Sequence, residues 1–314
     1  MVKELQEAKA HIELSKEAAK EGMVLLKKAK TTYSLIAAGS KVALFGKGTF
    51  DYVKGGGGSG DVTVAYIRNL YEGLKLQKEK ISIFEELCDY YRNDIKNQYA
   101  AGAVPGMTIE PDVPAELLSK AQAYTDTAII SICRYSGEGW DRKSVIDPNN
   151  KALWDYEREM TEKSAELFKD GDFCLSVKEK EMIDTVKAGF KNVIVILNVG
   201  GMVDTSWFAY DDQIQSALLA LQGGMEGGLA AAELLVGDGN PSGKLSIHLP
   251  NHSTTIRLLT ISTSQETMWT TPMIYMSDTA ISRQFREQRR RLFTHSAMAS
   301  HTPHLMWRLF LPAL

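Results

Sequence analysis

Short apolar runs alternate with stretches of helical periodicity along most of the chain. Apolar positions recur at helical spacing from residue 3 to about residue 30 and again over Asp61–Lys75. Compact apolar runs, typical of buried strands, separate the helical stretches. Strands are predicted at Lys41–Phe45, near Lys80, and at Ala128–Ile132, Val193–Leu197 and Ala217–Leu221. Further helices are predicted over Glu85–Gln98, Pro114–Tyr124, Val177–Phe190 and Met225–Val236.

This alternation of strands and helices predicts an α/β fold. The sheet should be mostly parallel, with helices on both faces, because a parallel connection carries its helix across the sheet. Ligands of such sheets bind at the carboxyl ends of the strands. The loops that directly follow the strands are therefore the places to look for functional residues.

The composition is that of an ordinary globular chain. It has 314 residues, 44% of them hydrophobic and 24% charged, with a mean hydropathy of −0.19. No run approaches the roughly 18–20 apolar residues that cross a bilayer, and the charged N-terminus lacks a signal-peptide core. Three widely spaced cysteines match no metal signature. We expect a cytoplasmic protein with no metal, cofactor, membrane or nucleic-acid partner, the last because the net charge is only −3.

The net charge of −3 is the sum of two stretches with different residue usage, which meet near residue 253. The last lysine is Lys244, and residues 254–314 contain seven arginines and three acidic residues, a net charge of +4. The body up to Ser253 carries 29 basic and 36 acidic residues, a net charge of −7. We therefore predict an α/β domain over 1–253 and a separate, irregular or disordered basic tail over 254–314. An arginine patch for nucleic acid at Arg283–Arg291 is disfavoured, since it has no interleaved aromatic residues.

A glycine-rich loop, Gly46–Val62, follows the first predicted strand. A phosphate-binding P-loop would need Lys and Ser or Thr after the last glycine, but Asp61 follows Gly60. A dinucleotide fingerprint would need a third glycine where Asp51 stands. Nucleotide binding is therefore disfavoured, while a loop that lets a ligand approach the backbone and a plain flexible loop both stay open.

The loop after the Ala128–Ile132 strand carries a carboxylate between two glycines. Glu138 lies between Gly137 and Gly139, and Trp140 follows. A carboxylate beside an indole suits a sugar site, where the acid protonates an oxygen and the ring stacks on the pyranose. The charged residues nearby are Arg134, Asp141 and Arg142. The alternative is a surface turn in which an Asp141–Arg142 pair only packs the loop.

A third loop, Asn198–Trp207, follows the Val193–Leu197 strand. Gly200 and Gly201 should turn the chain there, so that Asp204 and Trp207 could face the same cleft. For Met202 and Trp207, packing is favoured over ligand contact.

Taken together, these segments resemble the α/β-sandwich domain of family 3 glycoside hydrolases, the β-glucosidase family. The resemblance follows the family's order over some 240 residues. Its matching stretches are Glu21–Lys28, Lys41–Val62, Arg134–Arg142, Val193–Asp204 and Leu221–Pro250.

The resemblance implies a retaining hydrolysis of β-linked glucosides or short oligosaccharides by two carboxylates about 5–5.5 Å apart. The family's nucleophile is an Asp on a TIM-barrel domain, and its general acid/base corresponds to Glu138. The Lys54–Gly60 loop would help to wall the sugar pocket at the domain interface. The substrate-binding residues implied are Lys54, Gly55, Gly56, Ser59 and Trp140, and the loop-bracing residues are Arg134, Asp141 and Arg142.

The sequence departs from the family in one large respect. It contains no barrel and nothing like the family's Ser-Asp-Trp nucleophile segment. Because the α/β domain begins at Met1, the chain resembles the reordered subgroup with the barrel last, which would place the nucleophile beyond Leu314. We expect no turnover by this chain alone. The alternative is a non-catalytic remnant that binds a sugar or a partner surface.

The tail can be read as a shifted reading frame. If each codon is formed from the last base of one codon and the first two of the next, Met298–Ala299 must encode glycine. In that frame Phe293–Pro303 is compatible with the PFG-x-GLSYT segment of the family, and Thr254–Ser262 and Met268–Gln284 are compatible with family-like segments. The sequence therefore predicts a frameshift near Asn251–Thr254.

Overall fold

A computed structural model describes residues 2–28, 35–58, 61–104, 106–138 and 155–245. They form six strands: β1 (Val24–Lys28), β2 (Ser40–Phe45), β3 (Ile81–Ile83), β4 (Thr127–Arg134), β5 (Asn192–Val199) and β6 (Ile214–Leu219). The α-helices among them are α1 (Val2–Gly22), α2 (Leu70–Leu76), α3 (Glu85–Ala100), α4 (Ala115–Tyr124), α5 (Asp155–Leu167), α6 (Val177–Gly189), α7 (Ser206–Ala209) and α8 (Gly227–Val236). A 3₁₀ turn covers Lys47–Thr49.

The strands make one sheet in the order β1-β6-β5-β4-β2-β3. Strands β2 to β6 are parallel, and β1 closes one edge antiparallel to β6. The chain runs outward from β2 to β3 and then returns to β4 on the other side of β2. The predicted α/β fold with a mostly parallel sheet is confirmed.

Side-chain alternation along the strands builds a core on each face of the sheet. In β2, Ala43 and Phe45 belong to one cluster, while Val42 and Leu44 belong to the other. Helices α3, α4 and α6 supply apolar residues to the first cluster, and α2 and α8 supply them to the second. Burying one Leu or Phe side chain contributes about 1.5–3 kcal/mol, so both faces stabilise the sheet.

The predicted first helix is too long. Helix α1 ends at Gly22, and the apolar run after it is strand β1. In β1, Val24 and Leu26 are buried while Leu25 is only half-buried, which is the two-residue period of a strand. In the sequence, the apolar residues of β1 fit both the helical period and the two-residue period of a strand. Pairing with β6 makes this segment a strand.

The second predicted helix, Asp61–Lys75, also differs from the structure. Only Leu70–Leu76 is helical, because Asn69 caps the helix there: its side chain accepts the Glu72 amide at 2.8 Å, and Glu72 accepts the Asn69 amide in return. Helix α5 follows the loop that contains Glu138 and was not predicted.

No helix in the described parts of the chain has the length and apolarity needed to cross a membrane. Within the same residues, no group of three or more His, Cys, Asp or Glu side chains is placed to hold a metal ion.

Candidate functional site

A cleft opens where the strand order reverses. The chain leaves β2 toward β3 and leaves β4 toward the other edge, and the cleft lies at the carboxyl ends of these two strands, lined by residues of the loops that follow them. The cleft has a volume of about 490 Å³. It is lined by Phe50, Asp51, Tyr52, Val53, Lys54, Gly55, Asp61, Ile67, Asn69, Tyr99, Val104, Gly106 and Tyr135.

The glycine-rich loop packs directly on the segment that carries Glu138. A Cβ on Gly56 would lie 2.7 Å from the Gly137 Cα, and a Cβ on Gly57 would collide with the Tyr135 hydroxyl. Gly58 has φ +67°, and a Cβ there would lie 2.5 Å from the Glu138 Cβ. Only glycine lets these backbones approach so closely. The two loops identified from sequence therefore meet, with the exposed Glu138 at their junction.

Replacing Gly58 by alanine is expected to lower the free energy of unfolding by about 1–3 kcal/mol, since it adds a clash with Glu138 to a positive φ. Chemical denaturation measures the change. Gly55→Ala is the matched control, because a Cβ at Gly55 meets nothing within 4 Å. Equal losses for the two variants would contradict the packing described above.

Lys54 and Gly55 lie on the wall of the cleft. The Lys54 ammonium donates to Asp61 Oδ1 at 2.7 Å and to the Val62 carbonyl at 3.0 Å. Its own carbonyl accepts the Gly224 amide at 2.8 Å, which ties the loop after β2 to the loop after β6. Lys54 is thereby held at the rim of the cleft, one residue before the glycines.

Arg134 lies in the interior, with 3% of its surface exposed. Its guanidinium pairs with both oxygens of Glu179 at 2.7 Å and donates to the carbonyls of Cys133, Asp172 and Cys174 at 2.8–3.0 Å. These bonds use all five guanidinium N–H groups. Arg134 therefore joins the end of β4 to the start of α6 and has no donor left for a ligand in the cleft.

The Glu179 carboxylate has a second role at the start of α6. It accepts the Ser176 amide at 2.8 Å, and the Ser176 side chain accepts the Glu179 amide, so the pair forms a capping box. Burial would raise the pKa of Glu179, but the adjacent Arg134 charge holds it below its ordinary value. The carboxylate is thus ionised beside Arg134 in the core.

The remaining predicted site residues either lie outside the described residues or do not line the cleft. Ser59, Trp140, Asp141 and Arg142 lie outside the described residues. In the third loop, Trp207 donates its ring N–H to the Asp204 carbonyl at 3.0 Å and packs edge-on against Phe208. Neither Asp204 nor Trp207 lines the cleft, and Trp207 packs against the apolar core.

Sequence reasoning missed a buried polar network that reaches the wall of the cleft through Asp51 and Tyr99. Asp51 accepts the hydroxyls of Tyr99 at 2.5 Å and Thr108 at 2.6 Å. Next to it, Glu110 accepts the Tyr91 hydroxyl at 2.6 Å and the Lys47 amide at 2.8 Å. Asp51 lies in the loop after β2, six residues beyond Phe45, and this position after a strand is the one signal that could have pointed to it. The network holds the loop after β2 against residues 107–110.

The pKa of Glu110 predicts a pH dependence of stability. Burial raises it from 4.5 to about 7, so between these values the folded state holds a proton that the unfolded chain has released. The resulting stabilisation is full below the ordinary pKa and is lost as the pH rises through about 7. Relative to Glu110→Gln, whose side chain does not titrate, the wild type should lose on the order of 3 kcal/mol between pH 5 and 8. Chemical denaturation of both proteins at pH 5 and pH 8 measures this loss. A difference in the free energy of unfolding between wild type and Glu110→Gln that is the same at both pH values would contradict the prediction.

Comparisons with known proteins agree on one family. The model of the Glycosyl hydrolase family 3 C-terminal domain matches residues 23–295. Beta-glucosidase A of Butyrivibrio fibrisolvens is 56% identical over 237 residues, which cover 75% of this chain and 28% of that protein. Beta-glucosidase of Ruminococcus albus is 27% identical over 208 residues, 64% of this chain and 19% of that protein.

Solved structures give the same result. Beta-glucosidase 3B of Thermotoga neapolitana, in complex with alpha-D-glucose, is similar to this chain with a TM-score of 0.62 and 33% identity, covering 79% of this chain and 32% of that one. A beta-glucosidase of Paenibacillus barengoltzii also has a TM-score of 0.62, with 30% identity over 76% of this chain and 24% of that one. The chain thus spans about a third or less of each relative.

Proposed function

Because the chain belongs to glycosyl hydrolase family 3, we propose that it supplies the acid/base domain of a retaining β-glucosidase. The observation that carries the proposal is the packing of the Gly56–Gly58 loop on Glu138, in the same two loops that line the switch-point cleft through Gly55 and Tyr135. The β-glucosidase activity of the similar proteins sets the reaction class. In this proposal the substrate is a β-linked glucoside, and a TIM-barrel domain outside this chain is the structural partner.

Glu138 is assigned both proton transfers of a double displacement. In the first step its carboxylic acid protonates the glycosidic oxygen while an Asp on the barrel attacks the anomeric carbon, and the alcohol leaves. In the second step the Glu138 carboxylate removes a proton from water, which displaces the Asp and releases the sugar. The exposed position of Glu138 at the loop junction supports this role, since the side chain can reach a partner domain.

The glycine-rich loop is assigned to the wall of the sugar pocket. Lys54 and Gly55 line the cleft, and Gly56, Ser59 and Trp140 complete the wall in the proposal. The bonds of Arg134 to Glu179 and to three carbonyls support its role as a brace for the Glu138 loop. Asp141 and Arg142 are assigned to the same bracing.

A hybrid enzyme tests the proposed function. In it, the matched 237-residue stretch of Beta-glucosidase A is replaced by the corresponding stretch of this chain. We expect the hybrid to hydrolyse phenyl β-glucoside and the full chain alone to release no phenol, because a retaining hydrolysis needs both carboxylates. A folded hybrid without activity, or turnover by the full chain alone, would contradict the proposal.

We also propose that the family domain ends near residue 253 and that residues 254–314 are read in a shifted frame. The change in Lys and Arg usage at that point supports this boundary. Sequencing the DNA across the Asn251–Thr254 codons is the test. An inserted or deleted base supports the proposal. An uninterrupted reading frame there would overturn the proposal. Residues 254–295, which the family model matches, would then be a divergent part of the domain.

A further inference from the structure

One backbone outlier lies beside the proposed site. Leu221, two residues beyond β6, has φ +55°, and it is the one non-glycine residue with a positive φ among those the structure describes. This conformation costs a branched residue about 1–2 kcal/mol. Leu221 is 38% exposed, so its own packing does not explain the strain. Such strain persists where the surroundings impose it, and it concentrates at functional sites.

Asn198 imposes the conformation of Leu221. Its amide nitrogen donates to the Leu221 carbonyl at 2.7 Å and to the Val53 carbonyl at 2.9 Å, and its oxygen accepts the Val53 amide at 2.7 Å. Asn198 is only 1% exposed, so each of these bonds would be costly to lose. The side chain therefore fixes the strained turn and, at the same time, the residue that precedes Lys54.

The strained turn aims the next side chain at the Glu138 loop. Gln222 donates from its side-chain nitrogen to the Ser136 carbonyl at 3.0 Å, two residues before Glu138. Gly200 makes room for this contact, because a Cβ there would lie 2.6 Å from the Gln222 side-chain nitrogen and 2.7 Å from the Ser136 Cβ. The loops after β5 and β6 thus meet the loop after β4 at Ser136, two residues before Glu138.

We propose that Gln222 is a positioning residue for the Glu138 carboxyl group. The inference rests on the proposed function of Glu138. Gly137 gives the loop conformational freedom, so contacts from other segments must restrict it. The glycine-rich loop packs against it through Gly56 and Gly57, and Gln222 adds a side-chain hydrogen bond to the Ser136 carbonyl. A proton donor displaced by about 1 Å can lose a hundredfold in rate, so a single tether of this kind affects catalysis.

The test substitutes Gln222 in the hybrid enzyme. Gln222→Met keeps the size of the side chain and removes the donor, and Gln222→Glu places a carboxylate oxygen against the Ser136 carbonyl. Gln213→Met is the matched control, because Gln213 is exposed just before β6, at the opposite end of the strand. We measure kcat/KM, which reports the first step, for phenyl β-glucoside and for dinitrophenyl β-glucoside. The dinitrophenolate departs without a proton, whereas the phenolate requires one.

We expect Gln222→Met to lower kcat/KM for phenyl β-glucoside about tenfold and to leave the dinitrophenyl value within about twofold, since only proton donation is impaired. Gln222→Glu should lose more on the phenyl substrate, and Gln213→Met should match the wild type. In the full chain, hydrogen exchange of the 136–138 amides should be faster in Gln222→Met. Equal losses on both substrates, or none, overturn the inference. The Glu138→Gln variant separates this outcome from a failure of the proposed function. If Glu138→Gln also loses equal activity on the phenyl and dinitrophenyl substrates, Glu138 is not the proton donor and the proposed function is wrong.

Discussion

Replacing Glu138 by glutamine in the hybrid enzyme is expected to lower kcat/KM for phenyl β-glucoside by about 10²–10⁴-fold, the usual contribution of a positioned general acid. Glutamine keeps the size of the side chain and cannot transfer a proton at that position. The value for dinitrophenyl β-glucoside should fall far less, because its leaving group departs unprotonated. Steady-state kinetics with the two substrates measure both changes.

Azide supplies the control for this substitution. In the second step a Glu138 variant lacks the base that activates water, so kcat for dinitrophenyl β-glucoside should fall and the glycosyl-enzyme should accumulate. Azide attacks without losing a proton, and it should restore kcat in Glu138→Gln by forming the β-glucosyl azide. Rates unchanged by the substitution, or a variant that azide does not accelerate, would remove Glu138 from the acid/base role.

The sequence predicted the central part of the fold. Strands β2, β4 and β5 were predicted because each is a compact apolar run that ends at glycine or a polar residue, and burial on both faces of a parallel sheet requires such runs. The edge strand β1 was missed because only its pairing with β6 distinguishes it from the end of a helix. Local periodicity carries no information on that long-range contact.

The candidate site was predictable to a similar degree. The sequence identified the glycine-rich loop and Glu138 as parts of loops that follow strands, but not their proximity, because β3 lies between β2 and β4 in the chain and only the sheet order makes those two strands neighbours. The contributions of Asn198 and Gln222 could not be predicted either, because each acts through a backbone group of a distant loop. Arg134 was recognised as a cation near the site, but its partner Glu179 is 45 residues away, and nothing in the local sequence links the two.

Replacing Arg134 by methionine is expected to lower the free energy of unfolding at pH 7 by about 3–5 kcal/mol, because the Glu179 carboxylate then stays buried without its counter-charge. Methionine can retain the apolar contacts of the arginine stem, but it loses the stacking of the guanidinium group on the Phe168 ring, 4.4 Å from the ring centre. Chemical denaturation of the full chain measures the loss. Arg92→Met is the matched control, since Arg92 pairs with Asp89 at the surface and should cost less than about 1 kcal/mol.

The pH dependence of this loss identifies its cause. In the wild type the pKa of Glu179 lies below its ordinary value, so its stabilisation is present above that value and is lost as the pH falls through the lowered pKa. In Arg134→Met, burial alone raises the pKa of Glu179, so the carboxyl group destabilises the fold increasingly as the pH rises. The deficit of the variant should therefore be smaller at pH 4.5 than at pH 7. Adding Glu179→Gln to Arg134→Met should recover part of the stability, because it removes the unpaired charge. A deficit that is independent of pH and not reduced in the double variant would show that lost packing, and not the buried charge, sets the stability at the end of β4.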